Sequence, residues 1–242
     1  MSHHPSLDLL EAYALGQLDL GHSVAVSAHL EFCPSCRRQL FHFEELAGQQ
    51  LAAISLDQGL DNSSSQPLDG GQLESSVPST NWDTMLDEIT VQPQHSNQSS
   101  VRSLFCARTI EINGIKLRIP RVLQQMVGAN PEWRSYAGKV WSLPLHQDES
   151  GRVNLLYIGP NVLVPQHTHK GTESTLVLHG GFSDEDGEYH AGDFLQRDAS
   201  IKHSPQTSIG QDCLCLTVLT DTMVFTQGIA RLFNLFGRGV YP

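Results

Sequence analysis

The first hundred residues of this 242-residue chain almost lack basic side chains. Only Arg37 and Arg38 stand there against 13 acidic residues. The rest of the chain carries 13 basic and 13 acidic side chains, so the net charge of −11 lies wholly in the first hundred residues. An acidic segment repels nucleic-acid phosphates and complements basic protein surfaces. The charge therefore argues against direct nucleic-acid binding, and it fits either a basic protein partner or solubility alone.

Long apolar runs are also missing. No stretch approaches the roughly 18 apolar residues that a membrane-spanning helix needs. The start MSHHPSLDLL lacks the basic-then-apolar order of a signal peptide. We therefore expect a cytoplasmic protein with no membrane partner. The five cysteines are an odd number, and two of them form a C-x-x-C motif, which favours metal or redox use over a disulfide framework.

Apolar residues recur with helical spacing from Leu7 to about Leu56. Breaks at Gly16, Gly21 and Pro34 predict three short helices. Residues 57–80 are rich in Ser, Gly, Asp and Gln and have the composition of a linker.

A lone amphipathic helix is predicted over 81–90. Its apolar stripe consists of Trp82, Met85, Leu86 and Ile89. Polar segments flank it on both sides, and a helix this short is marginal by itself in water. It must therefore dock in a groove, either on the first three helices or on a partner protein.

From about Phe105 the pattern changes to a period of two with β-branched and aromatic residues, and Asn113-Gly114 is a hairpin signal. Short strands at close spacing predict a sandwich or a small barrel. A final apolar stretch over 228–237 could form a closing helix. The predicted fold class is therefore α+β in two domains, a small all-α domain followed by an all-β barrel. We expect boundaries at 1–92 and 104–242, with a polar linker at 93–103 that insulates the two modules.

The first candidate metal site is the spacing His29-x3-Cys33-x2-Cys36, with His3 and His4 upstream. Two thiolates on a tight turn and an imidazole one helical turn earlier can share one ion, and zinc accepts such nitrogen and sulfur ligands tetrahedrally. His4 could complete the set. A redox dithiol and a metal-free buried pair are the alternatives, but no βαβ pattern supports a thioredoxin-type motif.

These residues also carry a family resemblance. The segments HHPSLDLLEAYALGQL and HLEFCPSCRRQL resemble the zinc-binding domain of ChrR-type anti-sigma factors. The resemblance implies that His4, His29, Cys33 and Cys36 bind zinc. It also implies that three helices and a tethered fourth bind and inhibit an ECF-type sigma factor of RNA polymerase.

The second candidate metal site consists of His167, His169, Glu173 and His203. His167 and His169 point to the same face of a strand because they are two residues apart, and Glu173 returns to that face after a turn at Gly171. Three imidazoles and a carboxylate suit zinc, iron or manganese. A metal-free barrel with hydrogen-bonded core histidines is the alternative.

The spacing of this second site resembles the cupin superfamily. Seven residues separate Gly159 from His167 where five are usual, and Asp198 and Ser200 replace a usual Pro and Gly. ChrR-type proteins join a zinc domain and a cupin domain in this order. The resemblance thus implies a cupin barrel that holds zinc or another divalent metal.

Two functions follow from these patterns. The first is an anti-sigma factor that releases its sigma factor on an oxidative signal such as singlet oxygen, as the resemblance implies, with the cupin as sensing domain. Under this first function the protein is not an enzyme, and we assign no catalytic residue. The alternative is a cupin metalloenzyme, a dioxygenase or isomerase, with an accessory zinc module.

Three further residues keep two interpretations each. Cys213 and Cys215 are either small core residues or oxidant-responsive thiols. His179 is either a rim histidine or a further metal ligand.

Overall fold

The computed structural model describes residues 2–53, 82–91 and 109–227, together with Arg231 and Asn234. The predicted linkers 57–80 and 93–103 lie outside these residues. So do the predicted domain boundaries at 92 and 104, which stay predictions. Of the predicted closing helix, Arg231 and Asn234 alone are described.

Three helices form the helical domain, residues 2–53: α1 (Leu7–Ala14), α2 (Leu20–Phe32) and α3 (Pro34–Ala53). Side chains cap the first two. Ser6 accepts a hydrogen bond from the Leu9 N–H and Asp19 accepts one from the His22 N–H. The three predicted helices are thus present, and α3 begins at Pro34 because proline suits the first helical position.

Gly21 differs from its predicted role as a helix break. It lies in the first turn of α2, whereas the chain turns earlier, at Gly16, whose φ is +66°. A Cβ atom on Gly21 would lie 2.8 Å from Cγ1 of Val218 and 3.1 Å from Cγ2 of Val153. This glycine therefore allows α2 to approach a β-sheet closely.

The lone amphipathic helix is α4 (Trp82–Val91), within one residue of the predicted bounds. It lies in a separate compact unit, residues 52–106. Met85, Leu86 and Ile89 of its apolar stripe are exposed.

The β domain, residues 109–227, contains eleven strands and one short helix in its described part. They are β1 (Thr109–Ile112), β2 (Ile115–Arg118), α5 (Arg121–Gln124), β3 (Arg134–Tyr136), β4 (Val140–Gln147), β5 (Arg152–Ile158), β6 (His167–His169), β7 (Glu173–Ser183), β8 (Glu188–His190), β9 (Phe194–Arg197), β10 (Cys213–Leu219) and β11 (Met223–Phe225). The main sheet is antiparallel in the order β3-β4-β5-β10-β7-β8, and β9 pairs with the start of β7. β6 pairs with β11, and β1 pairs with β2.

A bulge bends the main sheet where β7 meets β10. The register shifts between Leu214 and Cys215, because Leu214 pairs with His179 and Cys215 pairs with Val177, which leaves Leu178 as the extra residue. Gly180 pairs with Cys213, next to this bulge. Gly180 has φ +64°, and a Cβ there would lie 1.8 Å from the Asp212 carbonyl oxygen, so this position requires glycine. The α+β fold class, with helices first and an antiparallel β domain second, is confirmed.

The helical domain and the β domain share a hydrophobic core, contrary to the expected insulation by a linker. Val24, Ala25 and Ala28 of α2 belong to the same buried cluster as Leu155 and Leu216 of the sheet. Residues 1–51 and 107–242 accordingly form one compact unit. The composition of a linker indicates whether that segment can fold by itself. It carries no information about whether the two domains that it joins have complementary apolar faces, so the expected insulation was wrong.

Candidate metal centres

The N-terminal cluster consists of His4, His29, Cys33 and Cys36. His29 lies on the last full turn of α2, Cys33 ends that helix, and Cys36 lies in the first turn of α3. The Cys36 N–H donates to Sγ of Cys33 at 3.4 Å, so the helix start faces the sulfur. His4 comes from the segment before α1. All four predicted residues therefore converge on one point.

The spacing of the four donor atoms fits a tetrahedral ion. Nε2 of His29 lies 3.3 Å from Sγ of Cys36, and Nδ1 of His4 lies 3.4 Å from Sγ of Cys33 and 3.5 Å from Sγ of Cys36. Ordinary Zn–N and Zn–S bond lengths place neighbouring nitrogen and sulfur ligands about 3.6 Å apart around zinc. The donors are soft thiolates and neutral imidazoles, which is the set that zinc prefers.

The protonation states of this cluster depend on burial. Burial and the neighbouring Cys33 raise the pKa of Cys36 to about 12, so without a cation this thiol keeps its proton at neutral pH. Burial also lowers the pKa of His29 to about 4, so its imidazole is neutral at neutral pH. A divalent metal would favour the Cys36 thiolate and release that proton.

The β domain orients the His29 ring. Nδ1 of His29 donates to the Gly192 carbonyl at 2.9 Å, which leaves Nε2 facing the cysteines. This is the second contact that metal-bound histidines commonly make. The interdomain partner was not predicted from the sequence.

The β-domain cluster consists of His167, His169, Glu173 and His203. β6 carries both His167 and His169, Glu173 begins β7, and His203 forms a bridge to His167. Nitrogen atoms of the three histidines lie within 4.8 Å of one another. Oε2 of Glu173 lies 3.1 Å from Nε2 of His169 and 3.6 Å from Nε2 of His203. The structure therefore brings together all four predicted residues.

Buried polar atoms of this cluster make no hydrogen bond of normal geometry among the described residues, although Oε2 of Glu173 and Nε2 of His169 are neighbours. These atoms are both ring nitrogens of His169, both ring nitrogens of His203 and Oε2 of Glu173. Unsatisfied polar atoms in a buried place are costly, and a shared cation would satisfy them. His167 donates from Nδ1 to the Pro165 carbonyl at 2.9 Å, so its Nε2 stays available. The residues present therefore fit a divalent metal.

The charges in the β-domain cluster point the same way. Burial and the neighbouring His203 lower the pKa of His167 to about 4. Burial opposes ionisation of Glu173, but contact with His169 and the charges of the three imidazoles lower its pKa to about 2. At neutral pH the site thus offers a neutral His167 and a carboxylate, both in their metal-binding form.

A second layer of side chains supports His203. Oδ2 of the buried Asp184 lies 3.5 Å from Nδ1 of His203 and accepts a hydrogen bond from Arg197 at 2.5 Å. Arg197 also donates to the Tyr189 hydroxyl at 3.1 Å. The sequence did not predict this network, although Asp184 and Arg197 are the kind of charged pair that rarely becomes buried without a structural reason.

The remaining candidates lie apart from both clusters. His179 is half exposed, and its Nε2 lies 3.3 Å from the Asp212 carboxylate, so it is a rim histidine. Cys213 and Cys215 are buried and reduced, with their sulfurs 3.3 Å apart. They belong to an apolar cluster with Val177 and Phe182.

Fold and sites together define a two-domain class of protein: a helical module with a His2Cys2 cluster, followed by a cupin-type β domain with a His3Glu cluster. Comparisons with known proteins agree with this class. Residues 6–37 match the family described as "Putative zinc-finger", and residues 125–222 match the family described as "ChrR Cupin-like domain".

One relative matches along nearly the whole chain. Anti-sigma-E factor ChrR of Cereibacter sphaeroides is 29% identical over 242 residues, 98% of each chain. The structure of Rhodobacter sphaeroides SigE in complex with the anti-sigma ChrR contains a chain that is 24% identical, with a TM-score of 0.59. That match covers 90% of this chain and 98% of the other, and it supports the fold. The resemblance to ChrR-type anti-sigma factors is thus confirmed for both domains and for their order.

In the part of the chain that the structure describes, no helix has both the length and the apolar character needed to cross a membrane.

Proposed function

We propose that this protein is a cytoplasmic anti-sigma factor that binds and inhibits an ECF-type sigma factor, with no direct contact to nucleic acid or membrane. The observation that carries the proposal is the similarity to Anti-sigma-E factor ChrR over 98% of both chains, with both domains in the same order. In this proposal residues 1–92 bind the sigma factor and residues 104–242 form the sensing domain, joined by a linker at 93–103.

Exposed apolar side chains on the helices support the proposal. Phe41 of α3 is 67% exposed and Leu51 is 71% exposed. Met85, Leu86 and Ile89 of α4 are exposed as well. Large exposed apolar side chains are typical of an interaction surface, and the acidic first half would face a basic partner.

The two clusters have different roles in this proposal. His4, His29, Cys33 and Cys36 hold a structural zinc, because a helical module of about 50 residues has too small a core to be very stable by itself. His167, His169, Glu173 and His203 hold zinc or another divalent metal and report an oxidative signal such as singlet oxygen, upon which the sigma factor is released.

The enzymatic alternative has less support. The His3Glu cluster would suit a cupin metalloenzyme, but the relative that matches both domains is named for regulation and not for catalysis. A catalytic function would also leave the exposed helix faces unexplained.

Co-purification of the full chain with ECF-type sigma factors of its native cell tests the proposal. Phe41→Asp should weaken the complex by about 2 kcal/mol, roughly 30-fold, as expected for a central apolar contact. Ile209→Asp is the matched control, because Ile209 is an equally apolar and 88% exposed residue of the β domain. Failure of the full chain to bind any of these sigma factors would refute the proposal.

A further inference from the structure

A tight loop of the β domain, His190–Phe194, contacts the N-terminal cluster. Gly192 shapes the loop with φ +96°. Two backbone hydrogen bonds fix it to β7: the Gly192 N–H donates to the Val177 carbonyl at 2.7 Å, and the Val177 N–H donates to the Asp193 carbonyl at 3.0 Å. The loop is therefore a rigid part of the sheet.

The buried Asp193 carboxylate of this loop holds the chain just before His4. Its Oδ1 accepts hydrogen bonds from the N–H groups of Ser2 at 2.9 Å and His3 at 3.2 Å. Its Oδ2 accepts one from the His190 N–H at 2.9 Å. The Phe194 N–H then donates to the His3 carbonyl at 3.1 Å. Three hydrogen bonds thus pin two residues that would otherwise fray as a chain end.

The same loop orients the second imidazole of the cluster. Its Gly192 carbonyl accepts the hydrogen bond from Nδ1 of His29, and the Phe194 ring lies edge-on against the His29 ring at 5.8 Å between centroids. The loop therefore contacts His29 directly and holds the two residues that precede His4.

We propose that the loop His190–Phe194 is the outer shell of the N-terminal zinc site, with Asp193 as a positioning residue for His4. The zinc site is then built by both domains: the helical domain supplies the four ligands, and the β domain fixes the orientation of the two imidazoles. This inference rests on zinc binding in the proposed function, but not on sigma binding.

The Asp193 carboxylate accepts three N–H hydrogen bonds on its two oxygens, and an amide, which has one oxygen, cannot accept all of them in the same arrangement. In Asp193→Asn the side-chain NH2 would face either the His190 N–H, which loosens the loop itself, or the N–H groups of Ser2 and His3, which frees the segment before His4. Outer-shell changes of this kind weaken metal sites by about 10- to 100-fold. Asp198→Asn is the matched control, because Asp198 is an exposed residue that caps Ser200 beyond the end of β9.

The experiment uses the full-length zinc-loaded protein in excess EDTA. Zinc loss from the N-terminal cluster is measured as alkylation of Cys33 and Cys36 by N-ethylmaleimide, quantified on the peptide that contains both. In the Asp193→Asn protein, Cys33 and Cys36 should be alkylated at least about tenfold faster than in the wild type. In the Asp198→Asn protein, the alkylation rate should equal that of the wild type. An unchanged rate in a folded Asp193→Asn protein would overturn the inference.

A second pair of variants does not depend on the folding of the β domain. His3→Pro removes one N–H that Asp193 accepts, whereas His3→Ala keeps it, and His3 is partly exposed near the chain start. Faster alkylation in His3→Pro than in His3→Ala supports the inference, and equal rates contradict it. If the wild type is alkylated at once without EDTA, the zinc site itself is absent, and the proposed function loses its zinc as well.

Discussion

At the scale of single residues, both clusters use the same device to aim an imidazole. His29 and His167 each donate from Nδ1 to a backbone carbonyl, of Gly192 and of Pro165 respectively. The hydrogen bond keeps the proton on Nδ1 and leaves the unprotonated Nε2 as the nitrogen that can bind a metal. Nε2 of His29 then faces Sγ of Cys36 at 3.3 Å, and Nε2 of His167 is left available to its own cluster, which is the arrangement that a metal ligand needs.

His29→Ala should cost the helical domain its zinc. Removal of one of four ligands forfeits much of a binding free energy on the order of 10 kcal/mol, comparable to the stability of a domain. The expected result is a protein with one zinc fewer per chain and with reduced helicity. His42→Ala, which removes an exposed imidazole of α3, should retain both. Metal analysis by atomic emission and far-UV circular dichroism measure the outcome, and full zinc content in His29→Ala would contradict it.

Glu173→Gln should weaken the β-domain site without changing side-chain size. The pKa of Glu173 is lowered to about 2, so the wild-type carboxylate is charged at any neutral pH and the amide removes that charge. We expect metal affinity to fall at least about tenfold, equivalent to ~1.4 kcal/mol. Glu188→Gln, an exposed change on β8, is the control. Competition with a metal indicator measures both, and equal affinities would exclude Glu173 as a ligand.

At the scale of elements, α2 has two buried faces. Val26 and Leu30 pack in the core of the helical domain, whereas Val24 and Ala28 pack against the sheet. A helix that is buried on two sides shows little amphipathic contrast. Its Cys33 end bears the metal ligands and its Gly21 end touches β10, so α2 is the element through which the two domains meet.

Gly21→Ala should therefore destabilise the protein although alanine favours helices. The new methyl group would crowd the buried Val218, and overpacking costs about 1–3 kcal/mol, more than the ~1 kcal/mol gained in helix propensity. Gly48→Ala in α3 is the control, because no atom lies within 4 Å of its added methyl group. We expect a lower melting temperature for the first variant and a higher one for the second; a rise in both would contradict close packing at Gly21.

At the scale of the whole molecule, the sequence predicted what is local and missed what is distant. Ligand spacings such as His29-x3-Cys33-x2-Cys36 lie within two helical turns, so a motif reveals them. The bond from His29 to Gly192 spans 163 residues, and that from Ser2 to Asp193 spans 191. Hydrophobic periodicity and motif spacing do not reveal contacts between residues so far apart in the sequence.

The two metal clusters are connected through one strand. β9 begins at Phe194, which contacts His29 and His3, and ends at Arg197, which holds the Asp184 that faces His203. His3 also packs on Tyr189 at 4.9 Å between ring centroids, and Tyr189 accepts a hydrogen bond from Arg197. These contacts link His203 to His3 through Asp184, Arg197 and Tyr189, and they are the path along which we expect the proposed signal to travel.

The double variant His167→Ala, His169→Ala should separate binding from release. The four ligands of the N-terminal cluster and the exposed face of α3 are untouched, so sigma binding should persist. Under the proposed function the metal that reports the signal would be absent, so reporter output should no longer rise with singlet oxygen. A double variant of His146 and His179 to alanine is the control, because both imidazoles lie in the β domain outside the cluster. Reporter output is measured with and without singlet oxygen for each protein. An induction ratio equal to that of the wild type in the first variant would contradict a sensing role, because the route through β9 would then carry nothing from that cluster.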